Sequence, residues 1–413
     1  MSGLTFRPTR RAVLAASAAL LVVRPTLSIA AAEDVIAASP RKFALPDKRF
    51  AYGVGLSDGF GAPLLIFQQG QNRVLRVKNT LDEPLRFVPV GIRGERYAST
   101  PLIAPQATGE MQFSCPDEGI FSYRFETEDS GSSLAAQGLC GPLLVRNTDS
   151  AQAVLALCNA LIRYAPLPRL STHKQIDFAR HRQTMTYVHN PMKRVGPRST
   201  LHLHIVNLSV DSAVAVRATG AQVKVVAVDG QPCPAFQPAA GRIVLPPSGR
   251  VSVRAEILNQ SLHIVDEIDR DNPLMSFEFN EHYPVLSAPS PPESNPALPG
   301  PIPLEQAVRG HFTLGRIPKA EQQITAREGE SVALAFENIS TVPYSVHIQG
   351  HSARLIDALD DGWKPWWHDS VFVPAGDTTR LVLKAGASGI YRIAAKALDD
   401  VPTPDLNAFL KVR

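Results

Sequence analysis

Imidazole nitrogen and thiolate sulfur are the protein donors that hold copper and zinc most firmly. This chain of 413 residues distributes them unevenly. All eleven histidines lie at or after His173, and no cysteine follows Cys233. A blue-copper centre needs a cysteine sulfur and two histidine nitrogens on one copper. Cys115 and Cys140 have no histidine in the first 172 residues, and the last 180 residues hold no thiol at all. Electron transfer through such a centre is therefore not expected.

The remaining candidates are pairs. His202 and His204 in "LHLHIVN" share a strand face, and His347 and His351 flank a Gly, but two ligands make a weak metal site. His368-Asp369 is a local pair with no identifiable nucleophile. No phosphate-binding loop, dinucleotide fingerprint or H-E-x-x-H occurs. "DALDDGWKPWWHDS" holds all three tryptophans, Trp363, Trp366 and Trp367, each carrying about 150–250 Å² of surface. They read either as interdomain packing or as a patch for a protein partner. Asp357, Asp360, Asp361 and Asp369 nearby read as a solvated loop.

The elements that must position these residues are short strands. Apolar content is 44%, with 35 Pro and 27 Gly, and β-rich runs lie between the turn residues. One pattern is written three times. In "RVLRVKNTLDEPLRFVPVG", Asn79 precedes Pro84 by five residues and Gly91 by twelve; Asn338 precedes Pro343 and Gly350 by the same spacing. A Pro/Gly turn and two more strands follow each copy, in 104–125 and 373–393. A looser version occupies 199–220 and 245–257. This predicts an all-β chain of three Greek-key β-sandwich domains: 33–147, 148–283 and 306–413, with a Pro-rich linker at 284–305. The stretch 158–196 fits the pattern poorly.

Residues 1–32 read as a removable leader. "TRRAVLAASAALLVV" is a basic segment before an apolar run, with a small-residue cleavage site at "SIAAAED". Arg10-Arg11 marks the twin-arginine export route, and Arg24-Pro25 breaks the run too early for a spanning helix. A soluble periplasmic protein, with no transmembrane segment in its mature form, is expected. Taking Arg7, Arg10, Arg11 and Arg24 from the 42 basic residues leaves 38, equal to the 38 acidic ones. The mature chain has no basic balance to suggest nucleic acid. In an oxidising compartment the four cysteines permit three disulfide connectivities. The domain-local pairing, Cys115–Cys140 with Cys158–Cys233, is preferred, with free buried thiols as the alternative.

"NTLDEPLRFVPVGIR", "EGIFSYRFETED…QGLCGPLLVRN", "VVAVDGQPC…RIVLPPSGRVSV" and "HIQGHSARLI…WWHDSVFVPAGDT" together resemble, in order, the multicopper oxidase superfamily. The resemblance implies cupredoxin-like domains, a mononuclear copper in the third and a three-copper cluster between the first and third. It also places the ligands, and nearly all are replaced. The first His-x-His falls at Val88 and Val90, and the second at Arg124 and Glu126. The His-x-x-His-x-His of the third domain falls at Tyr344, His347 and Gln349. The closing His-Cys-His falls at Ala394, Ala395 and Lys396. His347 is the one match. The domain-two strand of His202 and His204 carries no ligand in the family, which favours a structural role for that pair.

The pattern of loss plus the leader is most similar to the copper-free FtsP/SufI-like type. That implies no copper cofactor, no catalysis, and a protein partner in the cell envelope or division machinery. The competing expectation is an oxidoreductase with a noncanonical site built from His173, His181, His189, His347 or His351. The former cluster volume is expected to be packed, Val88 and Val90 excluding water while Arg124, Glu126 and Lys396 pair across the interface.

Overall fold

A strand that buries one face alternates apolar and polar residues. Arg73–Asn79 does so, burying Leu75, Val77 and Asn79 while exposing Val74, Arg76 and Lys78. The computed structural model describes residues 35–44, 50–56, 63–127, 133–136, 138–147, 151–164, 180–267, 270–290, 292, 294–318, 322–356, 363–398 and 403–413. The leader, His173, Asp357, Asp360 and Asp361 lie outside them.

These strands build three cupredoxin-like β-sandwiches, each around its own apolar core. The third is two five-stranded sheets, one of them carrying Tyr344–Ile348 beside Gly389–Ala397. The first and second are less separate. One ten-stranded sheet runs through both, joined where Phe50–Leu56 pairs antiparallel with Ala153–Tyr164. The stretch that fitted the repeat poorly forms the long hairpin Ala153–Tyr164 with Arg180–His189, which supplies this junction. Among the described residues no helix is long and apolar enough to cross a membrane.

The repeated asparagine does the same job in all three domains. Asn79 Nδ2 donates to the carbonyls of Glu83, Ile103 and Ala104, and its Oδ1 accepts from the amide of Leu81. Asn207 does this with Ser212, Leu245, Pro246 and Ser209. Asn338 does it with Val342, Val373, Pro374 and Ser340. Each therefore pins the end of its strand to the Pro-containing turn of a distant segment. These carbonyls cannot all join a ladder at a turn, so a side-chain amide satisfies them.

The repeated glycines also have a reason. Gly91 and Gly350 adopt φ of 86° and 67°, the left-handed region that other residues enter at a cost. A Cβ on Gly91 would strike the Arg250 guanidinium of the second domain, and one on Gly350 the Glu95 carbonyl of the first. Both are points where one domain's backbone meets another domain.

The Pro-rich linker is extended but packed. Ala288 N donates to Thr200 O at 3.0 Å. Asn295 Nδ2 donates to Asp117 Oδ1 at 2.9 Å, and Asp117 also accepts from Arg93 and Gln231. Ile302 is buried against Trp367 and Val382.

The preferred disulfide pairing is not what forms. All four cysteines are buried and free, and the two that meet are Cys140 and Cys158, with sulfurs 3.6 Å apart. They sit on successive strands at the junction of the first two domains, in one small apolar cluster.

Candidate functional site

Leu85–Val90 and Gly119–Glu126 pair antiparallel, with Arg86 opposite Glu126 and Val88 opposite Arg124. Side-chain alternation divides the pair. Phe87, Tyr123 and Phe125 turn into the first domain's core, with Phe87 stacked on Tyr123 at 5.3 Å. Arg86, Val88, Val90, Arg124 and Glu126 turn the other way and line a cavity of about 290 Å³. The third domain closes it with His347, Gln349, Arg392 and Ala394, where His347 pairs directly with Ala394.

The expected packing of this volume is therefore wrong in part. The valines and the Arg124–Glu126 pair are in place, the latter at 2.7 Å, yet the space remains open. Ala394 is shorter than an imidazole, and like-charged guanidinium groups resist collapse onto one another. The charge that crosses the interface is also different. Arg392 Nη1 reaches Glu126 Oε2 at 3.4 Å, whereas Lys396 sits 3.4 Å from Asp405 in its own domain. Gln349 spends its amide on the interface too, donating to Arg96 O at 3.2 Å, beside Gly94 N donating to Gly350 O at 2.8 Å.

The place where the resemblance puts the mononuclear copper is filled. Tyr344 and Ala395 belong to the third domain's core, and Tyr344 Oη donates to Pro404 O at 3.0 Å. Among the described residues no three His, Cys, Asp or Glu side chains form a metal-holding group. Three arginines, an amide and an alanine cannot replace the imidazoles of a copper cluster, since guanidinium groups carry no free lone pair at any working pH. The residues do not fit copper.

His351 and His204 are spent on structure. His351 Nε2 accepts from Gly386 N at 2.9 Å, which leaves Nδ1 protonated to donate to Gln349 O at 3.2 Å. Burial pushes its pKa down to about 4. His204 is held by Ser252 and Gln152. His202 lies 4.7 Å from it, ring to ring, and burial lowers its pKa to about 4. Both line a second cavity of about 450 Å³ under the Pro-rich linker. Burial also lowers the pKa of His189, with Arg146 adding to the effect. The side chain of His181 lies outside the described residues.

Trp366 packs 4.9 Å from Phe236 of the second domain. Trp367 is 5% exposed and lies under the Arg354 guanidinium at 4.4 Å. These two rings are committed to packing within the chain, and the Trp363 side chain is outside the described residues. Asp369 corrects the solvated-loop reading. It is buried and ion-paired with Arg250, because the bend it occupies between Trp363–His368 and Ser370–Val373 faces the second domain rather than water.

Sequence reasoning missed Arg250, Asp229, Arg86 and Arg392. Arg250 is fully buried where three domains meet. It donates to Asp229 O at 3.0 Å and Ser248 O at 2.7 Å, and it lies 5.8 Å from the Phe121 ring. The Asp229 carboxylate accepts the amides of Asp369 and Ser370 at 3.1 and 3.2 Å. Arg392 was findable, since it stands two residues before Ala394 on the same strand face. Nothing in "PPSGRVSV" distinguishes a buried arginine from a surface one.

Residues 295–394 match the sequence model of the family described as Multicopper oxidase. Solved structures agree in architecture. A multi-copper oxidase from Pseudomonas Thermotolerans superposes with a TM-score of 0.71 at 20% identity, covering 95% of this chain and 100% of that one. This is the multicopper oxidase fold. Lac15 from a marine microbial metagenome gives 0.70 at 20% identity, covering 92% and 100%. The Campylobacter jejuni multicopper oxidase, titled a metallo-oxidase, gives 0.65 at 14% identity over 95% and 94%. No curated protein sequence matches the chain. The chain thus shares the architecture of these structures.

Proposed function

We propose that this is a non-catalytic, copper-free protein of the FtsP/SufI-like type. On this reading it is exported to the periplasm by the twin-arginine route and holds a protein partner in the cell envelope or division machinery. One observation carries the reading: at positions where the resemblance places cluster ligands, Glu126 and Gln349 bond across to the facing domain, Arg124 is tied to Glu126, and Ala394 offers no donor atom. The substitutions keep the first and third domains together by charge and amide contacts, a use that serves a binding surface and not electron transfer. Export of an already folded chain suits a protein whose three domains interlock before they meet a partner.

The test is expression with copper supplied, followed by metal analysis, visible spectroscopy and a phenol-oxidation assay on the purified protein. A copper-free protein without turnover is the expected result. A stoichiometric copper with a thiolate charge-transfer band, or steady phenol oxidation, would sink the reading and favour the oxidoreductase alternative. A fluorescent fusion exported by the same leader is expected at the division site. Uniform periplasmic fluorescence would remove the division role. Crosslinking in the intact periplasm then identifies the partner.

A further inference from the structure

The cavity between the first and third domains carries an unbalanced charge. Arg86, Arg124 and Arg392 line it with a single carboxylate, Glu126. That carboxylate is already shared, accepting from Arg124 Nε at 2.7 Å and Arg392 Nη1 at 3.4 Å. The rest of the Arg392 head donates to Asn407 Oδ1 at 2.9 and 2.6 Å, a neutral partner that leaves its charge in place. Arg86 enters no ion pair among the described residues. Burial holds the Arg392 pKa below its ordinary value, and Arg124 adds to that effect against the pull of Glu126. Positive charges crowded in a partly dry cleft are stabilised by an anion more than they would be at an open surface.

The wall between these charges is apolar. Val88 lies two residues along the same strand face from Arg86 and directly opposite Arg124, and Val90 and Ala394 continue the lining. About 290 Å³ is the lower end of the size range for small-molecule sites. We propose that this cavity is a binding site for a small dicarboxylate. One carboxylate takes the Arg124 nitrogens that Glu126 does not use, and the other takes the Arg86 guanidinium in the paired geometry that carboxylates favour. The carbon chain lies on Val88. Inorganic phosphate matches the charge but leaves the valine wall without contact.

Calorimetric titration of the purified exported protein at low ionic strength tests this, with succinate, inorganic phosphate and butyrate as probes. Succinate is expected to saturate one site per chain and to raise the melting temperature, with butyrate much weaker. Arg86→Ala is expected to weaken succinate binding about tenfold to a hundredfold while the ligand-free protein melts as before. Arg76→Ala, on the outer face of the same domain, should bind succinate normally. Absence of saturable succinate heat, or unchanged affinity in the Arg86 variant, overturns the site. Saturation by phosphate with none by succinate overturns the dicarboxylate class. Copper content measured on the same sample separates this outcome from failure of the non-catalytic reading.

Discussion

Arg250 of the second domain and Asp369 of the third form an ion pair shielded completely from solvent on the arginine side. Asp229 binds the backbone of both ends, taking the Arg250 amide on one oxygen and the amides of Asp369 and Ser370 on the other. Breaking such a pair from one side strands a buried charge, at a cost of about 3–5 kcal/mol. Arg250→Met is therefore expected to lower stability by that order in urea unfolding. Arg250→Met combined with Asp369→Leu should recover part of the loss, because the Asp369 carboxylate is no longer stranded and Asp229 keeps its backbone amide donors. A double variant no better than the single one would contradict the pairing.

The same pair predicts a response to acid. Burial pushes the Asp369 carboxyl up, but Arg250 and His347 outweigh it and bring it from 3.8 down to about 2. A depressed folded-state pKa contributes stability that is complete above the unfolded value and is lost as pH falls through the folded one. Unfolding midpoints should drop between about pH 4 and pH 2. Asp369→Asn, measured over the same range, should show a shallower slope.

Removing an asparagine clamp leaves several carbonyls without donors. Asn338→Ala exposes three acceptors and one amide to that fate. A loss of about 2–4 kcal/mol is expected, since each unsatisfied buried group costs about 1–3 and some will find water. Asn338→Asp should be no better, because a carboxylate cannot donate to a carbonyl. Thermal unfolding of the two variants checks this.

Gly91→Ala should loosen the contact between the first and second domains. The added methyl must push away the Arg250 head, and the left-handed backbone adds its own strain. Limited proteolysis is the useful readout: cleavage between the domains should appear in the variant at protease levels that leave the parent whole. Alanine at Gly70, where no atom lies within 4 Å of the added carbon, controls for backbone strain alone.

Thiol chemistry should be silent until the protein unfolds. Burial pushes the Cys115 and Cys233 thiols up to about 12. The Cys140 contact, then burial, raises Cys158 well above its ordinary value. Thiolate is the reactive form. A colorimetric thiol reagent should label none of the four in the native protein and all four in denaturant. Two labels in denaturant would reveal a disulfide.

The repeat was readable because its period is local. Asn79 and Asn338 with their proline and glycine spacing announce strand, clamp and turn within a dozen residues, and the alternation around Val88 and Arg124 gives their common face. What escaped depends on contacts between distant segments. Arg250 and Asp369 are 119 residues apart, and Lys396 rather than Arg392 was expected at the cavity because strand alternation cannot say which of two same-face residues reaches across. Cys140 and Cys158 meet because a long hairpin joins two domains, and that hairpin had no repeat to betray it.

The ten-stranded sheet leaves no clean place to cut between the first and second domains. Severing the chain near residue 150 would leave the strand Phe50–Leu56 paired with Val35–Ala44 on one side but take away its partners Arg163 and Tyr164 on the other, making it an edge open to another molecule. The amino-terminal domain made alone should come out as aggregate. A shortened version fit for study must keep the hairpin with it.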